Sequence, residues 1–266
     1  MRIARFISGG KIRIGQLIGD KSARRIEGHP LGVHEITDEV LHVEKLLAPL
    51  IPTDILCIGL NYREHAAESG SSIPVNPMLF IKSSNTLNNP FDPIPIPRRS
   101  SMIDFESELC VVIGKDTKNV SRDQALECVY GYTCANDVSA RDWQREKSLG
   151  GGQFARGKSF DGFCPLGPWI VTADEVPDPN ALRIRGLLNG TVMQDHTTAD
   201  MIFDVPALIE SLSSTMTLRA GSVILTGTPQ GVGFARTPPV WLKPGDEFAV
   251  EIQHIGTLIN PVSSEK

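Results

Sequence analysis

The stretch Ile103-Asp104-Phe105-Glu106-Ser107-Glu108-Leu109-Cys110-Val111-Val112-Ile113 changes character halfway along. Its second half is an unbroken apolar run, which reads as a buried strand. Its first half places Glu106 and Glu108 two residues apart. In a strand, residues i and i+2 leave the same face, so both carboxylates project together. Two like charges at that spacing repel and raise one pKa unless a cation lies between them. A third carboxylate, Asp137, follows another apolar stretch in Cys134-Ala135-Asn136-Asp137-Val138-Ser139-Ala140-Arg141-Asp142. Hard, all-oxygen ligands of this kind favour Mg²⁺, Mn²⁺ or Ca²⁺ over zinc. The same residues also suit a solvated polar strand end, with Asp137 as a helix cap.

The surrounding 266 residues are 41% hydrophobic, which suits one large domain, or one domain with a small appendage. The formal charge is −5, with no basic patch and no block of like charge. Nucleic acid is therefore not an expected partner. No apolar run approaches the roughly 20 residues that span a bilayer. Residues 1–10 read as a strand entering a turn and not as a secretory signal. A cytoplasmic protein without membrane contact is expected. Cys57, Cys110, Cys128, Cys134 and Cys164 show no paired spacing and are expected to be buried thiols. The sequons at Asn119 and Asn189 carry no weight without a secretion signal.

Residues 1–48 alternate short strands with turns at Gly9-Gly10, Gly19-Asp20 and Gly28-His29-Pro30, followed by a predicted helix over Thr37–Leu47. They read as a small β-rich N-terminal domain, with 49–266 as the main domain beyond Pro49 and Pro52. In the main domain, residues 54–59 suit a buried strand and 62–68 a helix. The polar, Gly/Pro-containing run 69–77 has no period, and residues 66–77 are a lid candidate. Strands are expected at 109–113, 168–172, 182–188, 222–226 and 247–252. The Pro90–Pro97 segment must be edge or loop. Helices are expected over Ser139–Lys147 and Val205–Ser214. Many strands and few crossover helices indicate a mixed α/β, β-rich fold and not an alternating βαβ sheet.

Residues 152–159, Gly152-Gln153-Phe154-Ala155-Arg156-Gly157-Lys158-Ser159, match the phosphate-loop pattern G-x-x-x-x-G-K-[ST]. That motif works only between a buried strand and a helix. Residues 144–151 upstream are not strand-like, and Pro165 and Pro168 downstream oppose a helix. A nucleotide hydrolase is rejected on this context, leaving Lys158 as a lone cation in a glycine-flexed loop. His65 and Glu68 share a helix face, as a general base and its orienting carboxylate would, or as an ordinary surface pair would. Asp137, Arg141 and Gln144 have i, i+4, i+7 spacing. They can line one helix face, or belong to an exposed helix start capped by Ser139 and Asp142. Residues 226–233 run from a strand into a glycine-rich turn that can bring Thr228 to an anionic ligand, or can be an ordinary turn.

In order along the chain stand Gly59-Leu60-Asn61-Tyr62-Arg63-Glu64-His65, Asp104-Phe105-Glu106-Ser107-Glu108-Leu109 with Val111-Val112-Ile113-Gly114-Lys115, Asn136-Asp137-Val138-Ser139-Ala140-Arg141-Asp142, Gly157-Lys158-Ser159-Phe160-Asp161, and Leu225-Thr226-Gly227-Thr228-Pro229. Over roughly residues 54–262 this series resembles the fumarylacetoacetate hydrolase superfamily, in particular its shorter acylpyruvase and oxaloacetate decarboxylase-like members. The resemblance implies a mixed β-sandwich roll, a homodimer and a bound Mg²⁺ or Mn²⁺, with Ca²⁺ a stand-in under crystal conditions. It implies Glu106, Glu108 and Asp137 as metal ligands, and His65 with Glu68 as the acid/base pair. Arg141, Gln144, Lys158 and Thr228 match positions that bind the substrate or its developing oxyanion. The true fumarylacetoacetate hydrolases carry a further aspartate ligand upstream of the histidine. Asn61-Tyr62 stands nearest that place here, so fumarylacetoacetate itself is not the expected substrate.

The expected reaction is metal-dependent hydrolysis of the C–C bond of an acylpyruvate, a β-diketo acid, through a pyruvate enolate that the metal and Lys158 stabilise. Oxaloacetate decarboxylation and keto–enol tautomerisation or isomerisation share that enolate and are the alternatives. A non-catalytic keto-acid-binding protein would be expected to lack His65, Glu68 or Lys158, and all three are present.

Overall fold

A computed structural model describes residues 1–265. The quoted stretch forms the strand Ser107–Ile113, and its period-two alternation divides the core. Leu109, Val111 and Ile113 pack into one apolar cluster, with Phe248, Val250, Ile252 and Leu258 of a second sheet. Cys110 and Val112 pack on the other face with Ile55, Cys57, Val223 and Leu225. A strand buried on both faces needs apolar residues at every position, which accounts for the unbroken run. Glu106 and Glu108 are in phase with Cys110 and Val112, so both carboxylates leave the strand on that second face.

Ser107–Ile113 lies inside a twelve-stranded sheet. From one edge ten strands run in the order His34–His42, Ser22–Gly28, Lys11–Gly19, Arg2–Ser8, Cys164–Thr172, Val129–Asn136, Ser107–Ile113, Val223–Leu225, Ile55–Ile58 and Leu79–Lys82, and the remaining two, Lys45–Leu47 and Leu87–Asn88, pair with Arg2–Ser8 and Cys164–Thr172. A five-stranded sheet packs over it, in the order Thr191–Thr197, Arg183–Leu188, Glu247–Ile252, Gly256–Ser264 and Ile94–Ile96. Phe105 stacks on Phe248 between the two sheets, with ring centroids 4.6 Å apart. Burial of that kind stabilises by about 1.5–3 kcal/mol per large apolar side chain. The arrangement is the mixed, β-rich sandwich roll expected from the sequence. Ile94–Ile96, inside the proline-rich segment, is an edge strand as its prolines require. All five cysteines are buried and free.

Two expectations are corrected. Thr37–Leu47 is not a helix but the strands His34–His42 and Lys45–Leu47. Ile36, Thr37 and Val40 are β-branched, and the segment is paired along Ser22–Gly28, with Arg25 bonded to Glu39 across the ladder. The predicted Ser139–Lys147 helix is shorter, spanning only Arg141–Arg145. Ser139–Ala140 pairs instead with Ile103–Asp104. The Ser139 hydroxyl donates to the Asp137 carbonyl and caps nothing, so no capping box forms. The Val205–Thr215 helix stands as expected, with Asp204 accepting from Ala207 N as its cap. At 11 residues it is the longest helix described, and no described helix is long and apolar enough to cross a membrane.

Candidate metal centre and active site

Four segments converge on the face that carries Glu106 and Glu108. Asp137 arrives just beyond the end of Val129–Asn136, the antiparallel neighbour of Ser107–Ile113. Its amide donates to the Glu106 carbonyl at 3.0 Å, which fixes the two acids side by side. Oxygen atoms of Glu106, Glu108 and Asp137 all lie within 4.8 Å of one another, and all three residues are buried. Lys158 comes from the short helix Phe154–Lys158, and its Nζ donates to Glu106 Oε2 and Asp137 Oδ2, both at 2.7 Å. That helix packs closely on Arg141–Arg145 because Gly157 has no side chain. A Cβ there would lie 2.7 Å from Gln144 N and 2.9 Å from Ala140 O.

The electrostatics follow from that geometry. Burial alone would raise Glu106, but Lys158 and Arg141 outweigh it and hold the carboxyl far below the usual range. Glu108 is pushed well above that range, first by burial and then by Asp137 and Glu106. Burial would lower Lys158, yet Asp137 and Glu106 raise it. One Glu108 oxygen accepts from Gly227 N at 2.7 Å. Gly227 sits at φ +94°, and a Cβ there would come within 2.8 Å of Asn61 Cβ. The other oxygen, Glu108 Oε1, is buried without a hydrogen-bond partner among the described residues. An unpartnered carboxylate oxygen beside two further carboxylates suits a hard divalent cation.

The segment that matches the phosphate-loop pattern is not such a loop, in line with its rejection from sequence context. Lys147–Leu149 is a 3₁₀ turn, the strand Cys164–Thr172 follows, and Lys158 points into carboxylates. Asp137, Arg141 and Gln144 do not share one helix, since Asp137 lies outside Arg141–Arg145. They nevertheless meet through Glu106. Arg141 lies 2.6 Å from Glu106 through Nη2, and donates from Nε to Asp104 at 2.8 Å and from Nη1 to Gln144 Oε1 at 3.0 Å.

A cavity of about 210 Å³ opens over this floor. Glu106, Glu108, Lys158, Thr228, Gln144 and His65 are among its lining residues. His65 Nδ1 pairs with Glu68 Oε1 at 2.7 Å, and Glu68 also accepts from Gly231 N at 3.0 Å. The pair is thus formed already, with no lid movement needed to bring it together. The Thr228 hydroxyl donates to Ser107 O at 3.1 Å and accepts from Gln194 Nε2 at 2.8 Å. A larger open cleft of about 700 Å³ lies beside Trp169. Its Arg183 and Arg185 are already paired with Asp195 and Glu251, so it presents less unspent chemistry than the smaller cavity.

Three structural participants lack a clear sequence mark. Asp104 belongs to the same i, i+2 series as Glu106, and it accepts from Gly233 N, Phe234 N and Arg141 Nε. Lys82 closes an otherwise apolar strand, and its buried Nζ donates to Asp137 Oδ1 at 2.6 Å. Gln194 is identifiable only from the fold. Asn61, nearest the place of the missing aspartate, is turned to the backbone: its side chain bonds Phe203 and Thr226.

This fold and floor of acids define the class. The family described as fumarylacetoacetate (FAA) hydrolase C-terminal matches residues 54–263, and an Rv2993c-like N-terminal family matches 1–49. The chain belongs to the fumarylacetoacetate hydrolase family of enzymes. It is 48% identical to the mitochondrial oxaloacetate tautomerase fahd2 of Xenopus laevis over 82% of this chain and 68% of that protein. It is 41% identical to protein Rv2993c of Mycobacterium tuberculosis over 98% of both chains. Among solved structures, a 5-carboxymethyl-2-hydroxymuconate delta-isomerase from Mycobacterium smegmatis superimposes with a TM-score of 0.87 at 37% identity, covering all of both chains.

Proposed function

We propose that the chain is a divalent-metal-dependent enzyme that interconverts the keto and enol forms of 2-oxo acids of the oxaloacetate type. The observation that carries this reading is that His65, held by Glu68, lines the same cavity as Glu106 and Glu108, which cluster with Asp137 beneath it. Mg²⁺ or Mn²⁺ held by those three carboxylates would anchor the 2-oxo acid end and polarise its carbonyl. The other roles fall to the chain's own side chains. His65 Nδ1 is engaged by Glu68, which leaves Nε2 to take the proton from C3 while Glu68 stabilises the imidazolium. The same proton returns to the enol oxygen. Lys158 places positive charge beside that oxygen as it develops negative charge. Arg141 holds Glu106 and Gln144 in place, and the Gln144 amide NH₂ orients the substrate carboxylate, joined by the Thr228 hydroxyl once its proton turns from Ser107 O to the substrate. Phe80, Phe154 and Phe234 line the cavity and limit water.

Hydrolysis of an acylpyruvate is the second reading, and the anchored His65–Glu68 pair favours it too. Water that loses a proton to His65 attacks the distal carbonyl, the C–C bond breaks, and the pyruvate enolate leaves and is protonated. The 48% identical relative named as an oxaloacetate tautomerase supports the first reading over this one. The deciding experiment supplies oxaloacetate and acetylpyruvate with Mg²⁺ or Mn²⁺, following enol absorbance and released pyruvate separately. Enol–keto exchange well above the uncatalysed rate with little pyruvate supports tautomerisation. Stoichiometric pyruvate and acetate from acetylpyruvate overturns it in favour of hydrolysis.

A further inference from the structure

The helix Arg141–Arg145 carries two arginines one turn apart, and they are employed differently. Arg141 spends its guanidinium on Asp104, Glu106 and Gln144. Arg145 has no ion pair and no side-chain hydrogen bond among the described residues, yet it is not adrift. Its Cζ lies 3.9 Å from the centroid of the Phe234 ring, which Arg141 also meets at 4.5 Å. That ring is held in place because Gly233 N and Phe234 N both donate to Asp104. A guanidinium laid on an aromatic face keeps its N–H edge available for a planar, bidentate acceptor. Arg145 lines the same cavity as Glu106, Glu108 and His65.

The charges of the cavity agree with that placement. In the ionised forms that hold a cation, Asp104, Glu106, Glu108 and Asp137 bring four negative charges, and Lys82, Arg141 and Lys158 bring three positive ones. The His65–Glu68 pair is left out of this count because its net charge follows its proton. A divalent cation turns the remaining −1 into +1, and Arg145 makes it +2. That total is matched by a dianion, whereas a monoanion leaves one positive charge uncompensated.

We propose that Arg145 is the subsite for the second carboxylate of a dicarboxylic 2-oxo acid, and that it selects dianionic substrates over monoanionic ones of the same shape. This inference rests on the 2-oxo acid reading given above. Oxaloacetate and acetylpyruvate separate charge from shape, because one ends in a carboxylate where the other ends in an acetyl group of nearly the same size. A site that supplies a charged donor to an anion discriminates against the analogue that lacks it.

The test measures kcat/KM for enol–keto exchange of both acids with Mn²⁺ in the wild type, Arg145→Gln and Arg145→Lys. The expected result is a fall of roughly tenfold to a hundredfold in the oxaloacetate-to-acetylpyruvate ratio for Arg145→Gln, carried mainly by KM. Arg145→Lys, which keeps the charge, should recover part of the ratio. Inhibition by oxalate, which spans only the 2-oxo acid end, should be alike in all three proteins. A ratio within twofold of wild type in Arg145→Gln overturns the subsite while leaving the 2-oxo acid reading intact. A wild-type enzyme that exchanges neither acid overturns the reading on which it rests.

Discussion

Glu108 and Asp137 sit on one floor but are held by different partners, and their variants should behave differently. Among the described residues Glu108 accepts only from Gly227 N, whereas Asp137 accepts from both Lys82 and Lys158. Glu108→Gln should lower Mg²⁺ or Mn²⁺ affinity by at least tenfold and cost at most about 1–2 kcal/mol of stability. Asp137→Asn should lose the metal too, but also cost about 3–5 kcal/mol, because it leaves buried lysine charge uncompensated. Calorimetric titration and urea melts read both quantities, and equal stability losses would contradict the assignment. His65→Ala should lose on the order of 10²–10⁴-fold in kcat with metal affinity retained, as measured by the same titration. Glu106 and Glu108 are legible in the sequence because period two and an apolar run stand side by side. Asp104 stands in the same alternation, but its donors Gly233 and Phe234 lie about 130 residues away, where no local pattern reaches. Lys82 is hidden for the same reason, since its partner Asp137 is 55 residues distant.

The short helices on the cavity wall depend on one another. Gly157 lets Phe154–Lys158 press against Arg141–Arg145, which aims Lys158 at Glu106 and Asp137. Gly157→Ala should push the helices apart, costing about 1–3 kcal/mol and lowering kcat more than tenfold, whereas Gly150→Ala, facing open space but strained by its φ of +83°, should cost stability locally and leave kcat within a few-fold. Thermal melts with steady-state kinetics on the two variants check this. Gly157 looks like a phosphate-loop glycine in the sequence, and only the close approach to Gln144 discloses its use. The shortened Arg141–Arg145 helix illustrates the limit of local pattern. Ser139 and Asp142 have the spacing of a cap, but pairing of Ser139–Ala140 with Ile103–Asp104 takes the first turn away from the helix. The helix expected over Thr37–Leu47 does not form, because the ladder with Ser22–Gly28 decides the segment.

At the scale of the whole molecule, the N-terminal strands continue the main sheet through the pairing of Arg2–Ser8 with Cys164–Thr172. Trp169 joins the parts: Arg2 lies over its ring, and its Nε1 donates to Ile255 O in the five-stranded sheet. Removing residues 1–48 should uncover an apolar strand edge at Ile170 and Val171 and cause aggregation, measurable by light scattering at low micromolar concentration. A monodisperse, active truncated protein would contradict this. The strand-rich architecture is legible from the apolar runs, whereas the shared sheet is not, because pairing across more than 160 residues leaves no local trace. The lysines among the carboxylates bear on the order of events after synthesis. With Lys82, Lys158 and Arg141 already offsetting most of the acids, the polypeptide can reach its native shape before any ion arrives. Metal is then a late addition to a finished scaffold, and a shortage of it should leave an idle reserve of folded enzyme and not a degraded one. Chelation should abolish activity yet preserve one cooperative melt. The midpoint should fall only by what mass action withdraws, about 2–3 kcal/mol or roughly 5–10 °C at this chain length, and readdition of Mn²⁺ should restore turnover without refolding.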